Sequence, residues 1–474
     1  MGFCFHLRRC LPALLVLVSA LAQAQLPASV EEALQRARIP ASATAFLVVD
    51  AQDAKGVPRL LHRSEAPMQV GSVMKLLTTY AAMDLLGPAF NWATPVYVEG
   101  TVREGTLQGN LYIQGQGDPQ LVMERLWLLL RRIQGTGITR VNGDIVLDNS
   151  AFFVPDQDPA AFDGEPLRPY NARPEALLIN YKSIVMTFTP EPSGRVARVQ
   201  YDPPLWGVQT QDSVVLSNGP CTDYRTNLKA DFSDPLRIRF SGSFPISCGE
   251  KIWPVAYADP ASFAPRAVQG LWRSMGAGLD GNVRWGTVPT KLLEAKPLLE
   301  WRSPPLAEIV REINKYSNNV MAQQVFLTLG REGGSGVGRA EQARATLQKW
   351  WETRIGPESI PLVDNGAGLS RTERMSAQSL GLLLQHAYRS PLMPEFMASM
   401  PISGVDGTLT RSKVRATGSA HLKTGSIQGV NAIAGYVDAA SGKRYVVIAL
   451  INHANAANAR PALDALVDWA AQDK

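Results

Sequence analysis

The sequence predicts an α+β protein with more than one domain. Its 474 residues, 45% of them hydrophobic and 19% charged, are enough to bury a large core. The last third alternates apolar segments with turn residues over 422–427, 430–437 and 445–451, which is typical of an antiparallel meander. Residues 185–260 alternate short apolar strands with Pro, Gly and Ser, as β-rich modules do, and helical stretches precede the final meander.

The first hundred residues after the leader mix helices and strands. Residues 30–38 predict a short amphipathic helix, residues 45–50 a buried strand and residues 60–62 a second strand. A helix that starts at Ser72 is expected to end near Leu86-Gly87-Pro88, a helix-stop signal. Residues 96–98 and 101–103 flank Glu99-Gly100, which predicts a hairpin at that dipeptide.

The remaining elements follow from the same patterns. Strands are predicted at 111–113 and 145–147, and helices are predicted over 121–133, 261–275, 306–316, 320–329, 339–353, 376–388 and 460–471. A polar glycine loop, Asp364 to Arg371, lies between two of these helices, and turns at Gly429 and Ser441-Gly442 join the last three strands.

Residues 1–24 have the pattern of a secretory signal peptide. Arg8 and Arg9 precede an apolar run over 11–21, and Ala22-Gln23-Ala24 forms a small-residue cleavage site. No other apolar run is long enough to span a bilayer, so we expect an exported, periplasmic protein with at most peripheral membrane association. Retention of this segment as an uncleaved anchor is the alternative.

Charge and cysteine content exclude several classes of function. Without residues 1–24 the chain holds 45 basic and 42 acidic residues, a net charge of +3, and it has no basic block or phosphate-cradling glycine motif, so nucleic acid is not expected as a partner. Cys221 and Cys248 remain as a pair in an exported chain, which predicts a disulfide. The histidines show no paired ligand spacing, so neither a metal nor another cofactor is expected.

One short motif carries the strongest chemical signal. Ser72 and Lys75 are three positions apart, so on a helix they lie on one face. A serine hydroxyl is a weak nucleophile, and a neutral amine held beside it in a dry site can act as its base. Apolar neighbours provide the burial that depresses the pKa of a lysine.

Two later motifs agree with this pair. Ser317-Asn318-Asn319 follows a predicted helix, and Lys423-Thr424-Gly425 opens a predicted strand. Ser-x-x-Lys, a Ser-x-Asn triplet and Lys-Thr-Gly in this order are typical of penicillin-binding proteins and β-lactamases. Tyr316-x-Asn318 is an alternative register for the second motif.

With these motifs the chain resembles the class C low-molecular-weight penicillin-binding proteins, the D-alanyl-D-alanine carboxypeptidase/endopeptidase family. Spacing supports the resemblance, because 242 positions separate Lys75 from Ser317, a long insertion typical of that family. The phrases around Gly117-Asp118-Pro119, Gly366 to Arg371, Asp406 to Leu409 and Lys423 to Gln428 also match.

The resemblance implies a serine β-lactamase/transpeptidase-like catalytic domain, an antiparallel sheet flanked by helices, with two inserted β-rich domains. We expect the signal peptide at 1–24 and the catalytic penicillin-binding domain at 25–92 and 273–474. One inserted β-rich domain is expected at 93–105 and 174–272, and a second, small α/β insertion at 106–173.

The resemblance also implies roles for individual residues. Ser72 would be acylated, Lys75 would be its base, Ser317 would relay a proton to the leaving amine, and Asn319 would hold the substrate amide. Lys423 would keep Lys75 neutral by its positive potential. The hydroxyls of Thr424 and Ser426 would meet the substrate carboxylate, and the N–H groups of Ser72 and Ser426 would form the oxyanion hole.

Other implied contacts concern the substrate pocket. Gly425 would let the strand pass close to the substrate, and Arg371 and Gln428 would line the pocket. In the family an acidic residue flanked by tryptophans receives a free amine of the substrate. Here Glu165, or Asp163, has the position, but the tryptophans are missing.

The expected activity is therefore cleavage of peptidoglycan stem peptides and cross-links after D-alanine through an acyl-serine, with β-lactams as inhibitors. A secreted β-lactamase is one alternative, although the Glu-x-x-Leu-Asn loop of one such class is missing between Asn319 and Lys423. A non-catalytic cell-wall-binding scaffold is the other.

Overall fold

A computed structural model describes residues 26–53, 55–334 and 336–473. The predicted signal peptide lies outside these residues. The described chain is an α+β protein in which one sheet is built from both ends of the sequence and two further sheets from the middle.

The two ends of the chain form a five-stranded antiparallel sheet. Its strands, in spatial order, are Ala420–Ile427, Val430–Asp438, Arg444–Asn452, Thr44–Asp50 and Leu60–His62. The strand Ala420–Ile427 ends the sheet and is called the edge strand below. Residues 401–403 bond to its outer side beside Ala420 to Leu422, and among the described residues no strand covers the part from Lys423 onwards, so that part can offer backbone groups to another extended chain.

Alternating side chains of this sheet enter two separate cores, as the period of two of a strand requires. Phe46 and Val48 pack towards the first and last helices, whereas Ala45, Leu47 and Val49 pack towards the larger helical layer. Both faces are thus covered. The helices of this half of the molecule are Ala28–Ala37, Lys75–Leu86, Leu306–Tyr316, Asn319–Glu332, Ala340–Arg354, Ala377–Arg389, Met393–Ser399 and Arg460–Ala471.

The middle of the chain first forms a mixed sheet. In order, its strands are Gly278–Leu279, Arg140–Val141, Thr106–Gln114, Ala93–Arg103 and Leu299–Arg302, with Ile145–Asp148 beside Thr106–Gln114 and Val283–Trp285 beside Ile145–Asp148. The helices Met123–Gly135, Pro260–Ser274 and Thr290–Leu293 belong to the same part of the chain.

A second inserted sheet is entirely built from residues 183–256. Its strands, in order, are Phe244–Pro245, Ser213–Ser217, Val196–Asp202, Ser183–Pro190 and Lys251–Ala256, and a small ladder joins Ala230–Asp231 to Arg239–Phe240 next to the helix Tyr224–Leu228. Cys221 and Cys248 are bonded to each other here, which confirms the predicted disulfide. One continuous apolar core runs through both inserted sheets.

Strand pairing differs from the predicted grouping in two places. Ala93–Arg103 pairs with Thr106–Gln114 and so belongs to the mixed sheet, not to the β-rich sheet of residues 183–256. Leu299–Arg302 pairs with Ala93–Arg103, so the inserted part extends beyond the predicted boundary at 272. The second pairing joins segments more than 200 residues apart, which local patterns do not reveal, whereas the first is a hairpin between consecutive strands.

The hairpin predicted at Glu99-Gly100 is wrong in position. Ala93–Arg103 is one continuous strand, and Gly100 lies opposite Gly109 within the ladder. The turn is at Glu104-Gly105, whose φ angles of +48° and +76° are those of a two-residue hairpin turn. Gly100 and Gly105 are both turn signals in the sequence, and the turn forms at Gly105.

Candidate active site

Ser72 and Lys75 lie at the start of a helix that is buried over most of its length. The 3-10 turn Gly71–Met74 leads into Lys75–Leu86, whose residues 75–83 are all buried. The side chains meet as their spacing predicts, with 2.8 Å between Lys75 Nζ and Ser72 Oγ. Ser72 itself is only half-buried, so a substrate can reach its hydroxyl.

The Lys75 amine has three polar neighbours. Besides Ser72 Oγ, Nζ lies 2.6 Å from Asn319 Oδ1 and 2.5 Å from the carbonyl oxygen of Ala367. Asn319 Oδ1 and the Ala367 carbonyl can only accept, so they take the two N–H groups of a neutral amine. Its lone pair is then left for the hydroxyl proton of Ser72, which is the arrangement of a serine and its base.

Burial and a neighbouring charge both favour the neutral form of Lys75. The side chain is fully buried, and this desolvation lowers the pKa of Lys75 well below its ordinary value. The positive charge of Lys423 lowers the pKa of Lys75 further, while the carboxylate of Glu373 acts in the opposite direction. Burial also lowers the pKa of Lys423, to about 7.

Ser317, Asn318 and Asn319 form the junction between the helices Leu306–Tyr316 and Asn319–Glu332. Ser317 has a left-handed backbone, with φ of +58°, which is uncommon for a residue with a side chain. Asn318 caps the second helix by accepting the N–H of Met321 at 3.0 Å. Ser317 and Asn319 contact Lys423 and Lys75, whereas Tyr316 is 65% exposed, and these contacts favour Ser317-x-Asn319 over the alternative register.

The edge strand supplies the other side of the site. Lys423 Nζ lies 2.9 Å from Ser317 Oγ and donates to the carbonyl of Thr424 at 2.8 Å. The hydroxyl of Thr424 lies 2.9 Å from that of Thr408. The loop that carries Thr408 is held by the ion pair between buried Lys315 and Asp406, at 2.6 Å.

Two glycines allow the backbone of three segments to meet at Ser72. A side chain at Gly425 would place its Cβ 2.3 Å from the Val70 carbonyl oxygen and 3.1 Å from Ser72 N. A side chain at Gly368, whose φ is +80°, would place its Cβ 1.9 Å from the Gly71 carbonyl oxygen. Gly425 therefore brings the edge strand against the nucleophile turn, and Gly368 brings the polar loop against it.

Arg371 and Gln428 lie together at the open side of the site. Both are exposed, and the Arg371 guanidinium donates to the Gln428 carbonyl at 3.0 Å. The same guanidinium lies over the Phe162 ring, 4.6 Å from its centre. Since Phe162 belongs to the inserted part of the chain, this contact joins the insertion to the catalytic half.

Asp163 and Glu165 follow Phe162, but they differ in availability. Asp163 accepts the Tyr170 hydroxyl, the Asn171 side-chain amide and the Glu165 backbone N–H, and these bonds outweigh burial and lower the pKa of Asp163. Glu165 is exposed and pairs only with Arg168, at 3.2 Å. Tyr170, in the same loop, has its carbonyl oxygen 3.5 Å from Asn319 Nδ2.

Two cavities flank the loop of residues 154–162. One, of about 400 Å³, borders the site and is lined by Phe162, Asn171, Ser370 and Arg371 among others. The other, of about 830 Å³, lies on the far side of the loop, between Glu175, Lys182 and Trp285. We take the smaller cavity as the part of the cleft that belongs to the site, because only its lining includes predicted site residues.

The sequence assigned no role to several contributors to the site. The Ala367 carbonyl, Thr408 and Glu373 all contact the machinery through folding of segments far apart in the chain. Gly368 and Asp406 occur in phrases that match the family, although the sequence alone assigned no role to them. Across the described ranges, no group of three or more His, Cys, Asp or Glu side chains could hold a metal, and no helix is long and apolar enough to cross a membrane.

The antiparallel sheet, the serine–lysine pair under its edge strand and the second lysine on that strand define a penicillin-recognising serine peptidase. The chain belongs to the D-Ala-D-Ala carboxypeptidase 3 (S13) family, whose profile matches residues 26–473. The enzyme class predicted from the sequence, a serine-type D-Ala-D-Ala peptidase that acts on peptidoglycan, is thereby confirmed.

Individual relatives agree with the family. The chain is 28% identical over 396 residues to a D-alanyl-D-alanine carboxypeptidase of Actinomadura sp., covering 78% of this chain and 71% of the relative. It is 25% identical over 398 residues to the carboxypeptidase DacB of Haemophilus influenzae, covering 81% and 80%. The crystal structure of penicillin-binding protein 4 from Haemophilus influenzae matches with a TM-score of 0.72 at 21% identity, over 93% of this chain and 98% of that one, which confirms the predicted fold.

Proposed function

We propose that Ser72 is the acylated nucleophile of an exported D-Ala-D-Ala carboxypeptidase and endopeptidase, and that Lys75 is its base. The observation that carries this proposal is the Lys75 amine, which is fully buried, has acceptors for two N–H groups and faces the Ser72 hydroxyl at 2.8 Å. A lysine in that state takes the hydroxyl proton as the serine oxygen attacks the carbonyl of the penultimate D-alanine.

The oxyanion of the tetrahedral intermediate is assigned to the backbone N–H groups of Ser72 and Ser426. A Cβ placed on Gly71 would lie 3.3 Å from Ser426 N, so the two segments are adjacent. Loss of one such donor typically costs about 3–4 kcal/mol of transition-state stabilisation. Close packing of the edge strand at Gly425 holds this geometry rigid.

Breakdown of the intermediate needs a proton for the leaving amine. Ser317 is assigned as the relay that passes the proton taken up by Lys75 to the leaving amine, and its hydroxyl lies 2.9 Å from Lys423 Nζ. Asn319 holds the substrate amide. Thr424, Ser426 and Lys423 meet the terminal carboxylate on the outer side of the edge strand, and water then hydrolyses the acyl-serine.

The partners that follow are peptidoglycan stem peptides, free or cross-linked, with β-lactams as inhibitors that trap the acyl-serine. The protein acts in the periplasm, to which the signal peptide at 1–24 directs it, and it associates at most peripherally with the membrane. Arg371 and Gln428 line the pocket, and Glu165 or Asp163 receives a side-chain amine of the stem peptide.

Labelling with penicillin tests the proposal. We expect covalent drug on the peptide that contains Ser72, and we expect Ser72→Ala to keep its melting temperature and lose the label. Labelled drug on another peptide would contradict the assignment of Ser72. Rapid steady hydrolysis of penicillin would instead indicate a β-lactamase, and no acylation at all would indicate a scaffold.

Digestion of purified cross-linked and uncross-linked muropeptides, followed by mass analysis, tests the substrates. Release of D-alanine from uncross-linked peptides is the expected carboxypeptidase product. Conversion of cross-linked dimers to monomers is the expected endopeptidase product.

A further inference from the structure

Glu373 is a buried carboxylate beside the site that the proposed chemistry does not use. It is only 2% exposed, and it lies at the end of the polar glycine loop. Its Oε1 accepts three consecutive backbone N–H groups, those of Asp364 at 3.0 Å, Asn365 at 3.0 Å and Gly366 at 2.8 Å. Consecutive N–H groups that converge on one point form an anion-binding nest, and here the anion is a side chain of the same loop.

The nest controls the position of the next residue along the chain. Gly366 is held from one side by Glu373 and from the other by the Thr78 hydroxyl, which donates to the Gly366 carbonyl at 2.7 Å. Ala367 follows directly, and its carbonyl oxygen is one of the acceptors of the Lys75 amine. Glu373 is therefore linked to Lys75 through the backbone of Gly366 and Ala367, which hydrogen bonds from Glu373 and Thr78 hold in place.

Glu373 also interacts electrostatically with the Lys75 amine. Two charged groups act on Lys75, namely Lys423 on the edge strand and Glu373 on the loop, and they have opposite signs. Glu373 itself faces the carboxylate of Asp364, which lies 3.7 Å from Arg344. The Oε2 atom of Glu373 is buried and accepts no hydrogen bond from the described residues.

We propose that Glu373 is a positioning residue, which fixes the Ala367 carbonyl against Lys75 and whose carboxylate opposes the charge of Lys423 at that amine. The inference rests on the proposed function of Ser72 and Lys75. Backbone donors favour the ionised carboxylate, whereas burial raises the pKa of Glu373 above its ordinary value. The nest thus holds the carboxyl group of Glu373 in place, and its three N–H donors favour the charged form against burial.

Two substitutions separate position from charge. Glu373→Gln keeps a carbonyl oxygen for the three N–H groups but removes the charge. Glu373→Ala removes both. Glu352→Gln is the control, because Glu352 is an exposed acid on the helix Ala340–Arg354 that accepts a hydrogen bond from Gln348 and lines neither of the two cavities described above. The measurement is the first-order rate constant for acylation by penicillin and the Kd of the initial complex, each from pH 5 to pH 9, with the melting temperature of every variant.

We expect Glu373→Ala to lower the acylation rate constant about tenfold or more with little change in Kd, since the base is misplaced while the binding groups remain. We expect Glu373→Gln to recover most of that rate at pH 8. In this variant the acid limb of the pH profile of the acylation rate constant should move to lower pH by about half a unit or more. Without the carboxylate, Lys75 loses its proton more readily. Glu352→Gln should follow the wild type.

Other results would overturn the inference. Equal rate losses in Glu373→Ala and Glu373→Gln with an unmoved acid limb would show that the residue only supports the fold, and a wild-type rate in Glu373→Ala would show no role. Should Glu373→Ala fail to fold, an unmoved acid limb in Glu373→Gln would be decisive against it. Absence of Ser72 labelling in the wild type would instead overturn the proposed function, and the inference with it.

Discussion

Two fully buried lysines lie in the candidate active site, each on a different element. Lys75 comes from the nucleophile helix and contacts Ser72, whereas Lys423 comes from the edge strand and contacts Ser317. Two adjacent ammonium groups repel each other in a dry site, so protonation of one favours the neutral form of the other. In the proposed function this shared environment separates the two roles, with Lys75 as the base and Lys423 as the positive charge that keeps Lys75 neutral.

This division predicts the pH dependence of Lys423→Met. Below about pH 7 the wild-type Lys423 is protonated and lowers the pKa of Lys75. Without that charge the pKa of Lys75 is higher, so more of it is protonated and inactive as a base. We therefore expect the acid limb of Ser72 acylation to move to higher pH, with a larger rate loss at pH 6 than at pH 9.

The measurement is the acylation rate constant by penicillin across pH 5 to 10. Exposed Lys443→Met is the control and should match the wild type throughout. A loss of the same factor at every pH would contradict the electrostatic role and leave Lys423 only as a ligand for the substrate carboxylate.

The sequence predicts the site residues that contribute side-chain atoms better than those that contribute backbone atoms. Ser72, Lys75, Ser317, Asn319 and Lys423 act through side chains in short motifs, and the structure brings them together. The Ala367 carbonyl acts through the backbone, which every residue has, so no residue type marks it. It meets Lys75 across 292 positions of sequence, a contact that only the folded chain creates.

At the scale of elements, three segments converge on the backbone of Gly71 and Ser72. The edge strand approaches through Gly425 and the polar loop through Gly368, and neither position has room for a Cβ. The precision of the site therefore depends on two close backbone contacts. A displacement of about 1 Å at a catalytic group can cost a hundredfold in rate.

Gly368→Ala tests this contact. The new Cβ would lie 1.9 Å from the Gly71 carbonyl oxygen, so the loop or the nucleophile turn must move. We expect acylation of Ser72 to fall about a hundredfold. We also expect a loss of stability that exceeds the roughly 1–2 kcal/mol of a left-handed alanine alone.

Gly442→Ala is the matched control. Gly442 has the same φ of +80°, but a Cβ there meets no atom within 4 Å. It should cost only the roughly 1–2 kcal/mol of backbone strain and leave acylation unchanged. Equal acylation rates in the two variants, measured with penicillin beside thermal unfolding, would show that the Gly368 contact does not position the site.

The sequence predicts helices and strands correctly where the apolar periodicity is strong. Its predictions are wrong where the pairing between strands determines the position of an element. The helices Leu306–Tyr316 and Arg460–Ala471 have the predicted bounds, because a long apolar stripe specifies them locally. The hairpin turn lies at Glu104-Gly105 and not at Glu99-Gly100, because both dipeptides offer a glycine and only the register of the ladder chooses between them. The strand that pairs with Leu299–Arg302 likewise lies more than 200 residues earlier in the chain.

At the scale of the whole molecule, the insertion reaches back to the catalytic half. Phe162 packs under Arg371, and the Tyr170 carbonyl lies near Asn319. The inserted sheets share one core, and a disulfide closes part of the β-rich sheet. The loop 162–171 thus belongs to a part of the chain that has its own apolar core.

This arrangement predicts that the insertion selects stem peptides by a free side-chain amine. The three motifs handle only the D-alanyl-D-alanine end, so discrimination must come from elsewhere. Glu165 is the better acceptor of the two acids, since Asp163 already accepts three hydrogen bonds. The partner of Glu165, Arg168, is about half exposed, and ion pairs of this kind contribute only about 0–1 kcal/mol, so an ammonium can displace it.

A charge-assisted hydrogen bond from an ammonium to Glu165 would contribute about 1.5–3 kcal/mol, which is roughly ten- to a hundredfold in rate when it forms in the transition state. We therefore expect peptides with a free amine on the third residue to be cleaved faster, by that factor in kcat/KM, than their acetylated forms. Glu165→Gln should abolish most of this preference. Arg168→Gln should increase it, because the competing cation is gone.

Penicillin separates this effect from damage to the site. The drug lacks the amine, so its acylation of Ser72 should be nearly unchanged in Glu165→Gln and in Arg168→Gln. Asp163→Asn differs, because it weakens the bonds to Tyr170 and Asn171 that shape the loop beside Asn319. Were the double variant Asp163→Asn/Glu165→Gln to keep the full preference for the free amine, the acceptor would lie elsewhere in the 400 Å³ cavity that borders the site.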